Sequence, residues 1–380
     1  MCIRDRDIIG GGIGGLTIAI ALEQKGYKVN VYEQTESIQS IGAGIVLANN
    51  AMQVYDKLGL RKQLEEVGHR ITSLQVTNAD LKALSTMKTA YFEKKYQVKN
   101  IAIHRGDLQQ MLVQALKKGT LKLGYQLKDI DQQDTTVNLT FHNTEVVHSP
   151  LVIAADGQNS IVRNQLFSEN KLRNAHQVCW RGVVDYTLPK EYQHTLTEAW
   201  GKGDRIGFTQ ISSSQVYWFA LQSFKKSAEE FPLDQINSYF THFHPIAKDI
   251  IKATPTLHIH TAELMDLYPI NNWYHPKVCL LGDAAHATTP NMGQGAGQSI
   301  EDAWVLAECL HKYQPAKAFE RYQQLRIKKA HQIVNTSWTL GKLAHLSNPF
   351  LISLRNQLMR WIPESVSQKQ SEKIMELAAV

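Results

Sequence analysis

Cysteine is scarce in this chain: Cys2, Cys179, Cys279 and Cys309 lie far apart, with no C-x-x-C and no zinc spacing. That usage excludes a disulfide framework and fits a reduced, cytoplasmic setting. Long apolar runs are missing too, since none reaches the roughly 18 residues of a membrane-crossing helix. No charge of one sign is concentrated anywhere; the net +6 is spread along the chain, so a nucleic-acid partner is not implied. The densest basic stretch, RYQQLRIKKAH at 321–331, reads as the solvated face of a helix. No metal site is expected, because His258 and His260 alternate on a strand pattern without a third ligand. Internal repeats and low-complexity linkers are absent. What is left, 380 residues of which 43% are hydrophobic and 20% charged, is a soluble globular composition with one large or two ordinary domains.

Against that background the start of the chain is specific. Gly10, Gly12 and Gly15 have G-x-G-x-x-G spacing, preceded by Ile8 and Ile9 and followed by the helix-like run Leu16, Ile18, Ala19, Ile20, Leu22. A second strand pattern, YKVNVYE, ends in Glu33, 18 residues after Gly15. The glycine spacing alone is weak evidence. Strand, turn, helix, strand and acid together are what a dinucleotide site requires: backbone N–H groups approach a pyrophosphate and the acid accepts ribose hydroxyls. The charged residues Arg4 to Asp7 look foreign to a buried first strand. They read as an assembly scar in place of native residues, with a frayed native strand as the alternative, and residues 1–7 are expected to carry no functional weight.

Two further motifs sharpen the reading. LVIAADGQNSIVR (151–163) is a buried strand ending in Asp156-Gly157, with Ser160 and Arg163 beyond. VCLLGDAAHATTPNMGQGAGQSIEDAWVL (278–306) delivers Gly282-Asp283, then a loop with Pro290, Gly293, Gly295 and Gly297 that runs into a helix. Asp283 can hydrogen-bond a ribitol hydroxyl, and the N–H groups of Gly293–Gly297 can face an anion such as a reduced flavin. HRGDLQQMLVQALKK (104–118) reads as a helix, while 71–100 and 176–262 are strand-rich and suit an antiparallel sheet. GKGDRIG (201–207) reads as a turn before a strand and not as a second nucleotide loop. His286 sits beside Asp283, with local packing as good a reading as a proton role. Arg181 could touch substrate, although a surface or interdomain ion pair is the simpler expectation. The C-terminal NPFLISLRNQLMRWIP is amphipathic and basic, and docking on the protein's own body is favoured over a membrane surface.

With these motifs in order, the chain resembles the class A flavoprotein monooxygenases, the para-hydroxybenzoate hydroxylase family, over residues 8 to about 345. TTPNMGQG and IEDA bring it nearest the salicylate, urate and zeaxanthin branch. The resemblance implies an α/β fold: a Rossmann-type (glutathione reductase-like) FAD-binding domain from 1–70, 101–172 and 273–345. A mostly antiparallel substrate domain (71–100 and 173–272) interrupts it, and a helical segment (346–380) follows. It implies that Gly10, Gly12, Gly14, Gly15, Glu33 and Gln34 hold the ADP half of a non-covalent FAD. Arg105 would contact the FAD chain, Leu127 the adenine through its backbone, and Val46 would line the isoalloxazine. Asp156 would support binding and Pro290 would cover the flavin edge, with Asp283, Gly293, Gln294, Gly295, Ala296 and Gly297 completing the site. NAD(P)H would act as a transient reductant, and O2 would react through a C4a-hydroperoxyflavin to hydroxylate a small aromatic or heteroaromatic substrate.

Epoxidation of a polyene, hydroxylation of a polycyclic, and a non-enzymatic binding protein like the escorts of prenylated GTPases are the alternatives. Halogenation is disfavoured, for no W-x-W-x-I-P stretch is present. A monomer or weak homodimer is expected. In the hairpin DRIGFTQISSSQVYWFA (204–220), Arg205 and Tyr217 match an Arg and a Tyr of the urate-hydroxylating members. They share a sheet face only if the turn has three residues, because strand faces alternate with period two.

Overall fold

The computed structural model describes residues 5–38, 43–168 and 170–380. A six-stranded sheet runs in the order Tyr274–His275, Val278–Leu280, Val152–Ala154, Asp5–Ile9, Lys28–Glu33, Leu121–Leu123. All neighbours pair in parallel except the short first strand. Ile9 lies opposite both Ala154 and Tyr32, so the three motif-bearing loops leave the sheet at one edge. Backbone bonds from Gly10 to Tyr32, Ala155 to Ile9 and Leu281 to Ala154, each 2.8 Å, lock that edge together. Ligands of open α/β sheets bind at such carboxyl ends.

The glycine turn is close-packed. Gly10 has φ +102°, and a Cβ there would lie 2.4 Å from the Ala155 carbonyl oxygen. At Gly15 a Cβ would lie 2.0 Å from the Gly10 carbonyl oxygen, which is why the helix Ile13–Gln24 can sit directly on the strand end. Gly15→Ala is therefore expected to cost about 1–3 kcal/mol of stability by overpacking. A melting temperature equal to the parent's would contradict this packing.

Asp5–Ile9 forms the central strand in spite of its charges. Arg6 and Asp7 are buried at its start; Asn30 donates to Asp7 at 2.8 Å, and the Arg6 guanidinium lies over the Tyr27 ring at 4.8 Å. Paired and stacked polar groups are tolerated there where unpartnered ones would not be.

The second sheet has seven strands, ordered His260–Leu267, Leu172–Asp185, Gln215–Ser223, Asp204–Gln210, Thr195–Trp200, Ser73–Asn78, Ala83–Lys88. Trp180, Trp218, Ile206 and Phe208 fill one face and pack with Phe240 and Ile250 of the segment around Pro245–Ala253. Alternation then sends Arg181, Tyr217, Phe219 and Arg205 to the opposite face. The hairpin has the three-residue turn: the Ile211 N–H bonds the Gln215 carbonyl at 2.9 Å, and Thr209 lies opposite Tyr217. That second face meets the strand Gly44–Leu47, where a Cβ on Gly44 would fall 2.4 Å from that of Tyr217.

Two long helices, Gly295–Lys312 and Pro315–Ala344, cover the first sheet. The stretch 321–331 is not the solvated face expected of it. Arg326 is fully buried, bonded to Asp302 at 2.7 Å and Glu301 at 2.5 Å, and Lys329 reaches Glu301 at 2.7 Å. Two carboxylates on the facing helix neutralise these cations, which permits the burial. The helix Pro349–Trp361 docks on the body through Arg355 and against the strand Ala83–Lys88, but leaves most of its apolar side chains outside.

Candidate functional site

At the sheet edge a cleft of about 490 Å³ is lined by Glu33, Thr35, Ser37, Arg105, Gly106 and Gln109. Glu33 accepts from the Gly11 N–H at 2.6 Å and the Thr35 N–H at 3.0 Å, which aims its carboxylate at the cleft mouth. Gln34 is exposed and stands outside the lining. A Cβ on Gly12 would meet no atom within 4 Å, so this backbone faces open space, whereas Gly14 packs against Leu281 and Ser299. Arg105 opens the helix Arg105–Gln114, anchored by its N–H to the Ala43 carbonyl at 2.8 Å. Leu127 is buried at the start of a neighbouring strand, and Tyr125 just before it bonds the Glu33 carbonyl at 2.9 Å.

Further along the same edge, Gly282 at φ +63° turns the chain into Asp283. Asp283 is exposed, and no described residue donates a hydrogen bond to its side chain. Desolvation by the surrounding protein raises its pKa, with the His286 and Arg105 charges pulling it back. Ser160 caps the helix Ile161–Leu166 by accepting from the Arg163 N–H at 2.9 Å; Asp156 accepts from the Val162 N–H at 3.2 Å, while its other oxygen is buried without a donor. The turn Pro290–Met292 holds an exposed Pro290 and ends at Gly293, φ +61°, where a Cβ would again meet nothing within 4 Å. Gln294 is buried and accepts from Asn50 at 3.1 Å, which braces the N-terminus at Gly295, Ala296 and Gly297.

These features fit FAD. The Glu33 end would hold the ribose, Gly12 and the adjoining turn the pyrophosphate, Arg105 the chain between, and Asp283 the ribitol. The Gly293–Gly297 amides would face the pyrimidine edge of the ring. The unpartnered Asp283 carboxylate and the open space over Gly12 and Gly293 are what a bound dinucleotide would complete.

Against the second sheet, Val46 packs in a small apolar cluster with Ile71, Leu74, Ala102, Val183 and Tyr217. Burial raises the Tyr217 phenol, against the pull of Arg181 and Arg105. Gly44, which packs on Tyr217, lies opposite His104 in register, so the second sheet comes up to the start of the Arg105–Gln114 helix. Arg205 shares the Tyr217 face but is 1% exposed and already engaged, bonding Glu198 at 2.8 Å and the Asn291 side chain beside Pro290. Arg181 differs. It is half-buried, has no carboxylate within 4 Å among the described residues, and donates to the Cys179 Sγ at 3.4 Å. The expected ion pair is not there.

The FAD binding domain family matches residues 6–337. The chain belongs to this family. It is 33% identical to an aurachin C monooxygenase/isomerase of Stigmatella aurantiaca, over 93% of each chain. It is 30% identical to a 2-heptyl-3-hydroxy-4(1H)-quinolone synthase of Pseudomonas aeruginosa, over 97% of this chain and 96% of the relative. The fold superposes on an FAD-bound variant of HpxO from Klebsiella pneumoniae with a TM-score of 0.89 at 23% identity, covering 98% of both chains. The protein is a class A FAD-dependent monooxygenase of the aromatic-hydroxylase type.

For such a monooxygenase the sequence gives no sign of the roles of Asn50, Glu198 and Asn291, although Asn291 stands inside TTPNMGQG. It also left Asp302, inside IEDA, without a role. Asp302 is fully buried, 2.5 Å from His286, and accepts the Gly282 N–H at 3.2 Å, so it fixes the turn that presents Asp283. At Gly295 an added Cβ would make only ordinary contacts, with Thr288 at 3.6 Å and Asp283 at 4.0 Å. Gly295→Val should therefore fold, yet push the flavin ring from the loop amides and lower its reduction potential. A potential equal to the parent's would show that this loop does not face the ring.

Proposed function

We propose that this monooxygenase hydroxylates a heteroaromatic ring bearing an acidic hydroxy or oxo group, held between Arg181 and Tyr217. FAD supplies the redox and oxygen-activating chemistry, with NAD(P)H as transient reductant and O2 as the oxygen source. The residues of this chain bind the ring, orient it and exclude water. The observation that carries the reading is the Arg181 guanidinium, on the Tyr217 face of the sheet, which meets the strand Gly44–Leu47, and without a carboxylate partner among the described residues. A ring anion would complete it, and the Tyr217 hydroxyl would orient that ring without adding negative charge. Arg205, matched to Glu198, is the positioning residue that ties the Pro290 turn to the substrate sheet through Asn291. The apolar walls around Val46 and Leu74 suit a substituted bicyclic ring, and the quinolone named for the Pseudomonas relative is of that kind. A cytoplasmic location agrees with the three buried free thiols Cys179, Cys279 and Cys309.

The test is a panel of hydroxybenzoates, hydroxypyridines, purines and 4-quinolones, scored for stimulated NAD(P)H oxidation with hydroxylated product. Arg181→Ala should raise KM for the best substrate about 10- to 150-fold, the worth of a charge-assisted hydrogen bond at roughly 1.5–3 kcal/mol. An unchanged KM in that variant would remove Arg181 from the substrate site.

A further inference from the structure

Large exposed apolar side chains are concentrated at one place on this molecule. Eight of the fourteen among the described residues fall between Leu343 and Val366. Scattered singly they would need no explanation, but a contiguous patch marks an interaction surface. On the helix Pro349–Trp361, Phe350 and Trp361 are 74% and 75% exposed, and Leu351, Leu354 and Leu358 are 43–49% exposed. At about 100° per residue these five, with Ile362 just beyond, cover roughly one third of the helix circumference. Ser353, Asn356, Gln357 and Arg360 occupy a separate polar sector, and Ile352, Arg355 and Met359 form the packed side.

The helix cannot turn its apolar stripe inward, because Arg355 clamps it. Its Nη1 donates to the Leu343 and Ala344 carbonyls at 3.2 and 3.1 Å, and its guanidinium lies over the Trp200 ring at 5.1 Å. Asn348 caps the N-terminus through the Phe350 N–H at 2.9 Å, so the helix is well formed where it stands. Charge on the helix itself is positive: from His345 to Pro363 there is no Asp or Glu, while Arg360 and, one turn before the segment, Lys342 are exposed; the first acid, Glu364, accepts from the Lys88 N–H at 3.2 Å.

We propose that this helix lies in the plane of an anionic membrane surface, with Phe350, Leu354, Leu358 and Trp361 in the acyl boundary and Arg360 among the phosphates. No helix of the described residues is long and apolar enough to cross a membrane, so attachment would be peripheral. A second copy of the chain is the weaker occupant: a two-fold contact through this stripe would leave Arg360, in its separate polar sector, without a role, whereas an anionic surface engages both. The helix sits beside the substrate sheet, since Trp200, under Arg355, lies opposite Arg205 in register.

The FAD-loaded full chain would be sedimented with vesicles of phosphatidylglycerol and phosphatidylethanolamine, and with phosphatidylcholine vesicles as the neutral control. Binding to the anionic vesicles, weakened by salt, is expected. The double variant Leu354→Ser, Leu358→Ser should lose about tenfold or more of that binding, and Arg360→Gln a smaller part. FAD content and NAD(P)H oxidation without vesicles should match the parent in both, which keeps failure here separate from failure of the substrate reading. No binding to anionic vesicles, or equal binding by the double variant, would overturn the proposal. So would a dimer in gel filtration that the same variant dissociates while vesicle binding is absent.

Discussion

Asp302→Ala is expected to destabilise the protein by about 3–5 kcal/mol, the cost of stranding a buried charge when its partner is removed. Arg326, fully buried, would keep only Glu301 and the Gln298 oxygen as partners, and His286 would lose its 2.5 Å bond. The Gly282 N–H, 3.2 Å from the same carboxylate, would be orphaned too. The loss should appear in urea unfolding of the FAD-free protein, which separates stability from cofactor binding. A loss under about 1 kcal/mol, far below the range for a broken buried pair, would mean that the cluster does not depend on this carboxylate. Acidity adds a second reading of the same group. Burial pushes Asp302 up, but His286 and Arg326 outweigh it and hold the carboxyl well below its usual range. A depressed folded pKa stabilises above the unfolded value of about 3.9 and loses that contribution as pH falls further. The parent should therefore lose stability below about pH 4 more steeply than Asp302→Asn.

Asp283→Ala should fold normally and release FAD about 10- to 150-fold more readily, since a hydrogen bond to a charged acceptor contributes roughly 1.5–3 kcal/mol. No described residue donates to this carboxylate, so its removal orphans none of their donors, and unfolding of the FAD-free variant should match the parent. Equilibrium dialysis or flavin fluorescence on release would measure the change. Parent-like FAD affinity would remove Asp283 from the cofactor site and leave the Gly282 turn with a purely structural role.

These two acids show what a sequence can and cannot disclose. Gly10, Gly12, Gly15 and Glu33 are legible because backbone approach to a dinucleotide demands those residues at nearly fixed spacing. The side of Arg205 is legible only conditionally: the sequence ties it to the turn length, and the structure supplies the three-residue turn that puts it on the Tyr217 face. Its partner is not legible: Glu198 reaches Arg205 across a strand pair whose alignment no local pattern announces. The same holds for Arg326, whose basic neighbourhood looks solvated until Glu301 and Asp302 face it from another helix. Amphipathicity in Pro349–Trp361 shows that the helix has an apolar side, but not which side the body covers. Arg355 decides that, and it does so through Trp200 and two carbonyls far from any motif.

The most direct test of the account is to supply oxygen-18 gas to the FAD-loaded protein with NAD(P)H and the aromatic compound that best stimulates its oxidation. Mass spectrometry of the product should find one labelled oxygen atom on the ring, with NAD(P)H consumed and product formed in equal amounts. Unlabelled product, or NAD(P)H consumption that yields only hydrogen peroxide with every compound class tried, would contradict it.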